Sequence, residues 1–198
     1  SSGDLAKSVT FYFDVKSEWV AFAPKRGFGH AQFQRYFQSL INECHGDIVF
    51  ELVIQSNVDK FKEQLKQIAK ALEMKVSLVI PNNSREDFEA LFVHNSEEIE
   101  NLEATKIEQK YSASLKSNGL NLKSDYVERV IDGVEKCYGV VAIEGRKATN
   151  EKITVATNKT LQTRWIKDTM RDSIPAIKEY GGRFISEIQS KLQTLRQK

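Results

Sequence analysis

Residues 19–40 read Trp19-Val-Ala-Phe-Ala-Pro-Lys-Arg-Gly-Phe-Gly-His-Ala-Gln-Phe-Gln-Arg-Tyr-Phe-Gln-Ser-Leu40, and the rest of the chain is organised around them. Residues 19–23 are aromatic and apolar, which suits a strand. Pro24 has no N–H to give to a ladder, so it marks the strand end. Gly27 and Gly29 flank Phe28 and allow backbone angles closed to other residues. From His30 the apolar positions Phe33, Tyr36, Phe37, Leu40 and Ile41 fall on one side of a helix of about residues 30–43. Lys25, Arg26 and His30 then stand near a helix N-terminus, where unpaired N–H groups suit a phosphate or carboxylate. Two glycines and two basic residues are also ordinary loop composition, and a plain connection is the more economical reading. The spacing matches neither a P-loop, for want of Gly-Lys-Ser/Thr, nor a dinucleotide fingerprint, for want of the third glycine.

Working outward, residues 9–15 alternate, with Val9, Phe11, Phe13 and Val15 on one face, and residues 16–18 turn the chain back into the Trp19 strand. Downstream, residues 48–54 alternate as a third strand. Asn57 then caps a helix carrying Phe61, Leu65, Ile68, Ala69 and Leu72 opposite Lys60, Lys62, Lys66, Lys70 and Lys75. Residues 76–80 form a strand closed by Pro81. This order predicts an α+β fold, a mixed or antiparallel sheet with helices on one face, resembling a ferredoxin-like half.

Ser84 with Asp87 resembles a capping box, and residues 97–111 read as an acidic helix with Ile99, Leu102, Ile107 and Tyr111 on its apolar side. Residues 112–123 are polar and predicted mobile. Residues 124–136 form a helix with Tyr126, Val127, Val130, Ile131 and Val134 facing the core. A β-hairpin follows, residues 140–146 and 153–158. Pro175 opens a long C-terminal helix in which Gly181 and Gly182 predict a kink or a close contact. The expected segments are 1–83, 84–138 and 139–198, the last packed with the first.

The chain has 198 residues, a net charge of +2 and 40% hydrophobic residues, enough for one sizeable domain or two small ones. So small a charge excludes a global field that would drive the chain onto nucleic acid. The charge is unevenly placed: residues 85–110 carry eight acidic groups against three basic ones, and residues 141–198 twelve basic against six acidic. Two cysteines, Cys44 and Cys137, make no Cys-x-x-Cys pair, and His30, His45 and His94 are isolated, so neither a metal site nor a cofactor is expected. With no disulfide framework, membrane span or signal peptide in view, a cytoplasmic setting is expected. No catalytic signature is present. Asp14 and Glu18 bracket the first turn, but without a Glu-x-Lys strand motif they make a weak nuclease pair.

The remaining signal is nucleic-acid binding. Lys25, Arg26, Arg35, Arg146, Lys147, Lys159, Arg164 and Lys167 stand at the edges of strands and loops, with Tyr12, Phe28 and Trp165 as aromatic neighbours able to stack on bases. Basic loops converging at one end of a sheet would form a phosphate-binding surface. The element order, with 23-Ala-Pro-Lys-Arg-Gly-Phe-Gly-His-30, the helix after it, Val79-Ile80-Pro81-Asn82, the late hairpin and the long last helix, resembles that of RexA-like phage-exclusion proteins. That resemblance is one of architecture. It implies a cytosolic homodimer that binds duplex DNA with little sequence preference, beside a separate effector. The expected function is thus a non-enzymatic nucleic-acid-binding subunit of a phage-defence or mobile-element system. Lys25, Arg26, Arg35, Arg146, Lys147, Arg164, Lys167 and Trp165 are its candidate contacts, and DNA is favoured over RNA. Two other readings stay open: a protein-interaction subunit acting through the acidic and C-terminal helices, and an unrecognised metal-dependent nuclease.

Overall fold

The computed structural model describes residues 8–45, 51–80, 85–92 and 96–196. The fold is α+β and divides into two compact units. Ser1–Leu52 and Thr163–Lys198 form the first, and Val53–Gln162 the second.

In the first unit, strands β1 (Phe11–Asp14) and β2 (Trp19–Phe22) pair antiparallel, and helices α1 (His30–His45) and α6 (Ile174–Arg196) accompany them. The register sets Phe11 opposite Phe22 and Tyr12 opposite Ala21. Strand alternation therefore sends Phe11, Phe13 and Phe22 to one face and Tyr12 and Ala21 to the other. On the first face Phe22 stacks on Phe33 with ring centroids 4.1 Å apart. Phe37 meets Phe11 and Phe13 in edge-to-face pairs with centroids 5.2 and 5.7 Å apart. On the second face α6 lies so close that a Cβ added at Gly181 would stand 3.2 Å from the Cβ atoms of Tyr12 and Ala21. An isolated two-stranded hairpin is marginal in water. Here it is held between two helices, by aromatic burial on one side and glycine-permitted contact on the other.

The second unit holds a four-stranded antiparallel sheet in the order β4-β3-β5-β6, with β3 (Lys70–Val79), β4 (Lys106–Ser112), β5 (Gly139–Arg146) and β6 (Lys152–Ala156). Helices α2 (Val58–Leu65), α3 (Arg85–Leu91), α4 (Ser96–Asn101) and α5 (Asp125–Glu135) complete it. Met74 pairs with Tyr111 and Ile143, and Val76 with Gln109 and Val141, so the inward residues form continuous rows across three strands. These rows share one core with Phe61 of α2, Phe88 of α3 and Val127, Val130 and Val134 of α5. Asn57 accepts the Lys60 N–H at 3.0 Å and Ser124 that of Val127 at 3.5 Å, the two helix caps the residue types favour.

The hairpins β1–β2 and β5–β6, the Asn57 cap, the helix beginning after Ser124, the close contact at Gly181 and the long last helix match the sequence reading. Other elements differ. Residues 51–55 form no strand, and the earlier part of the expected 48–54 strand lies outside the described residues, as do Ser84 and His94. The helix capped by Asn57 ends at Leu65. Ala69 donates to the Arg146 carbonyl at 2.8 Å, and Leu72 belongs to β3, which begins at Lys70. The acidic run is not one helix: α4 stops at Asn101 and residues 106–112 are strand β4. All strand pairs are antiparallel, so no ferredoxin-like parallel crossover occurs among the described residues. Residues 112–123, expected to be mobile, are tied to β3 by Ala113 N–H on Leu72 O and Leu120 N–H on Ala71 O, both at 2.8 Å.

Candidate nucleic-acid interface

The basic loop is a tight turn. Lys25 and Phe28 exchange backbone hydrogen bonds of 3.2 and 2.9 Å, and Gly27 takes φ +76°, as the third position of a type II turn requires. Arg26 occupies the second position and is exposed, with no ion pair among the described residues. Gly29 stands just before α1, and its N–H is held at 3.2 Å by the Gln32 side chain reaching back over the first turn.

Beyond that turn α1 presents an aromatic and basic surface. Phe28 stacks on Tyr36 at 5.9 Å with planes 21° apart, and the Arg35 guanidinium lies 4.6 Å from the Tyr36 ring centroid. Arg35 also donates to the Tyr36 hydroxyl at 2.8 Å. Tyr36 is 54% exposed, although its spacing assigned it to the core face with Phe33. Phe33 and Phe37 are buried against the hairpin's rings while Tyr36 and Leu40 are exposed, so the apolar stripe is wider than the surface it covers. Tyr36 is an exposed ring that the sequence reading placed in the core, and its position directly after Arg35 was the available signal.

The lead-in to α6 belongs to the same unit. Trp165 is 76% exposed. Arg164 is paired with Glu187 at 2.8 Å, and Lys167 is exposed just before a short 3₁₀ turn, Asp168–Met170. The next residues reach the basic loop: Arg171 donates to the Pro24 carbonyl at 3.2 Å, and Asp172 forms an ion pair with Lys25.

Arg146 and Lys147 belong to the second unit. Arg146 donates to the Asn150 carbonyl at 2.8 Å and Lys147 pairs with Glu151 at 3.1 Å, so both close the β5–β6 turn. Five basic candidates and Trp165 thus share the first unit, and two lie in the second. Tyr12, read as a stacking residue, packs its ring against Gly181 and Gly182. Asp14 of the nuclease pair accepts the Ser17 hydroxyl at 2.7 Å and the Lys16 N–H at 3.2 Å, and these bonds hold its carboxyl below the usual range. It is a turn-forming residue. The apolar side of α6 is occupied too: Ile177 and Ile185 are buried. Of the two helices named in the interaction reading, the acidic one is split between α4 and β4, whereas α6 is one continuous helix.

The second unit carries other polar clusters. Asp87, buried on α3, accepts from Lys136 at 2.8 Å and from the Tyr138 hydroxyl at 2.7 Å beside a cleft of about 30 Å³. On the outer sheet face Glu73 binds Lys110 and Lys75, whose hydrogen bonds hold its carboxyl low. A shallow hollow of about 380 Å³ on that face is floored by Ser77, Val140 and Ala142. No group of three or more metal-ligating side chains occurs among the described residues. No described helix is long and apolar enough to cross a membrane.

No curated protein and no solved structure matches this chain. The model of a domain of unknown function, DUF4747, matches residues 4–175, a stretch that takes in the basic loop, Tyr36, Trp165 and Asp172. The chain belongs to the DUF4747 family.

Proposed function

We propose that this protein binds nucleic acid, DNA ahead of RNA, through the basic turn and α1 of its first unit. The observation that carries the reading is the exposed Tyr36 and Arg35, stacked on the half-buried Phe28, beside the exposed Arg26. Arginines supply phosphate contacts, and an exposed ring offers a base a stacking partner worth about 1–3 kcal/mol. Stacking requires an accessible base face, so unpaired strands are favoured over closed duplex. The resemblance to phage-exclusion proteins adds the choice of DNA and a wider setting, in which the protein serves a phage-defence or mobile-element system as a homodimeric, non-enzymatic subunit beside a separate effector.

The titration that tests this uses labelled single-stranded DNA, duplex DNA and RNA of equal length. If Arg26, Arg35 and Lys167 each neutralise one phosphate, raising salt from about 50 to about 200 mM weakens single-strand binding roughly 20-fold. Single-strand binding with that salt response, reduced by Arg26→Glu and by Tyr36→Ala, is the expected result. Absence of binding to all three ligands at low salt rejects the reading.

A further inference from the structure

We infer that Asp172 gates the nucleic-acid site from within the chain, its carboxylate standing at Lys25 where a phosphate oxygen would stand; this rests on the reading above. Lys25 is the half-buried cation of the turn, its side chain 30% exposed, and its partner Asp172 is 70% exposed. A second contact fastens the same segment to the same turn, from Arg171 to the Pro24 carbonyl at 3.2 Å. Arg171 is itself held by Asp168 at 3.0 Å. The segment thus brings two carboxylates to a basic loop, one directly and one through an arginine. An incoming strand meets Arg26 first, because that side chain is exposed and without an ion pair among the described residues. To use Lys25 as well, its phosphate must displace Asp172. The exchange is feasible because an ion pair this exposed contributes little in water. Displacement also removes one of the two polar contacts just named between segment and turn, so strand binding and release of residues 168–172 are coupled.

The test is a double-mutant cycle on single-stranded DNA affinity at about 50 mM salt, with wild type, Asp172→Asn, Lys25→Gln and the double variant. Asp172→Asn is expected to tighten binding about two- to fivefold, the weight of one exposed ion pair. That tightening should vanish in the Lys25→Gln background. Glu179→Gln, which removes the same charge from the Arg183 pair on α6, is the control for a general field effect and should change affinity less. Tightening that persists without Lys25, or that Glu179→Gln reproduces, overturns the gate and leaves the site. Wild-type binding with no response to Asp172→Asn does the same. A wild type that does not bind beside an Asp172→Asn variant that does supports the gate in its strongest form. Silence from both at low salt overturns site and gate together. A thermal melt of each variant confirms that the substitutions leave the fold unchanged.

Discussion

Replacing Lys136 with Met leaves a buried carboxylate without its cation, and the structure sets the size of the effect. Lys136 follows the last turn of α5, and its ammonium lies 2.8 Å from Asp87 on α3 and 3.4 Å from Asp132. The Lys136 and Asp87 side chains are 15% and 9% exposed, so little solvent screening reaches the close pair. Removing one partner of a buried pair typically costs about 3–5 kcal/mol, and the residual exposure places this case near 3 kcal/mol. For a unit of this size that lowers Tm by roughly 10–20 °C. Replacing both partners, Asp87→Leu with Lys136→Met, should recover most of the loss, because no lone charge then stays buried.

The pH dependence has a definite sign. Burial pulls the Lys136 ammonium down, but the hydrogen bond to Asp87 and the charges of Asp132 and Asp87 outweigh it and leave the group raised above the ordinary lysine value of 10.5. Its contribution is therefore complete below that value and is lost as pH rises through the raised one. Urea unfolding between pH 7 and pH 9 should show a constant deficit for Lys136→Met, and the deficit should shrink at higher pH. A deficit under about 1 kcal/mol at pH 7, or one that grows with alkalinity, refutes the reasoning.

Three further outcomes are expected. Tyr36→Ala should weaken single-strand binding by about 1–3 kcal/mol while leaving Tm unchanged, since the ring is 54% exposed; the paired titration and melt check both halves. Thr157→Val should destabilise the second unit by about 1–3 kcal/mol in urea unfolding, because the fully buried hydroxyl accepts the Val141 N–H at 3.0 Å and no replacement acceptor arrives with valine. Gly181→Leu should separate α6 from the β1–β2 hairpin, where even a Cβ comes within 3.2 Å of Tyr12 and Ala21, and hydrogen exchange of residues 11–22 should accelerate.

Particular residues explain what was legible in the sequence. The hairpins were readable because apolar alternation, aromatic in residues 9–22 and aliphatic in residues 139–156, agrees locally with turn residues between the strands. Helix α5 was readable because a serine cap precedes a clean apolar stripe. Strand β4 was hidden by its central inward residue, Gln109, which is polar. Its side-chain oxygen accepts from the Tyr126 hydroxyl at 2.5 Å and the Tyr111 hydroxyl at 3.0 Å, so it is satisfied inside. What remains of the pattern, Ile107 and Tyr111, is spaced by four and mimics a helix. The start of β3 was hidden by a bulge: the register against β5 shifts between Ala71 and Glu73, and the extra residue breaks the period of two. The candidate site was legible only in part. Lys25, Arg26 and Arg35 were found from the loop and helix composition. Their partners were not, because the ion pairs of Lys25 with Asp172 and of Arg164 with Glu187 join residues far apart in the chain. Tyr36 was lost to the core because helical spacing shows which residues share a face, not how much of that face is covered.

The central claim is that strands meet the chain at the basic turn and α1. The most direct measurement is a hydrogen-exchange footprint of the full chain with saturating single-stranded DNA. Slowed exchange is expected at residues 25–36 and altered exchange at residues 165–172, with the Arg146–Asn150 turn unchanged. Protection confined to that turn, or to the outer face of the four-stranded sheet, would contradict it.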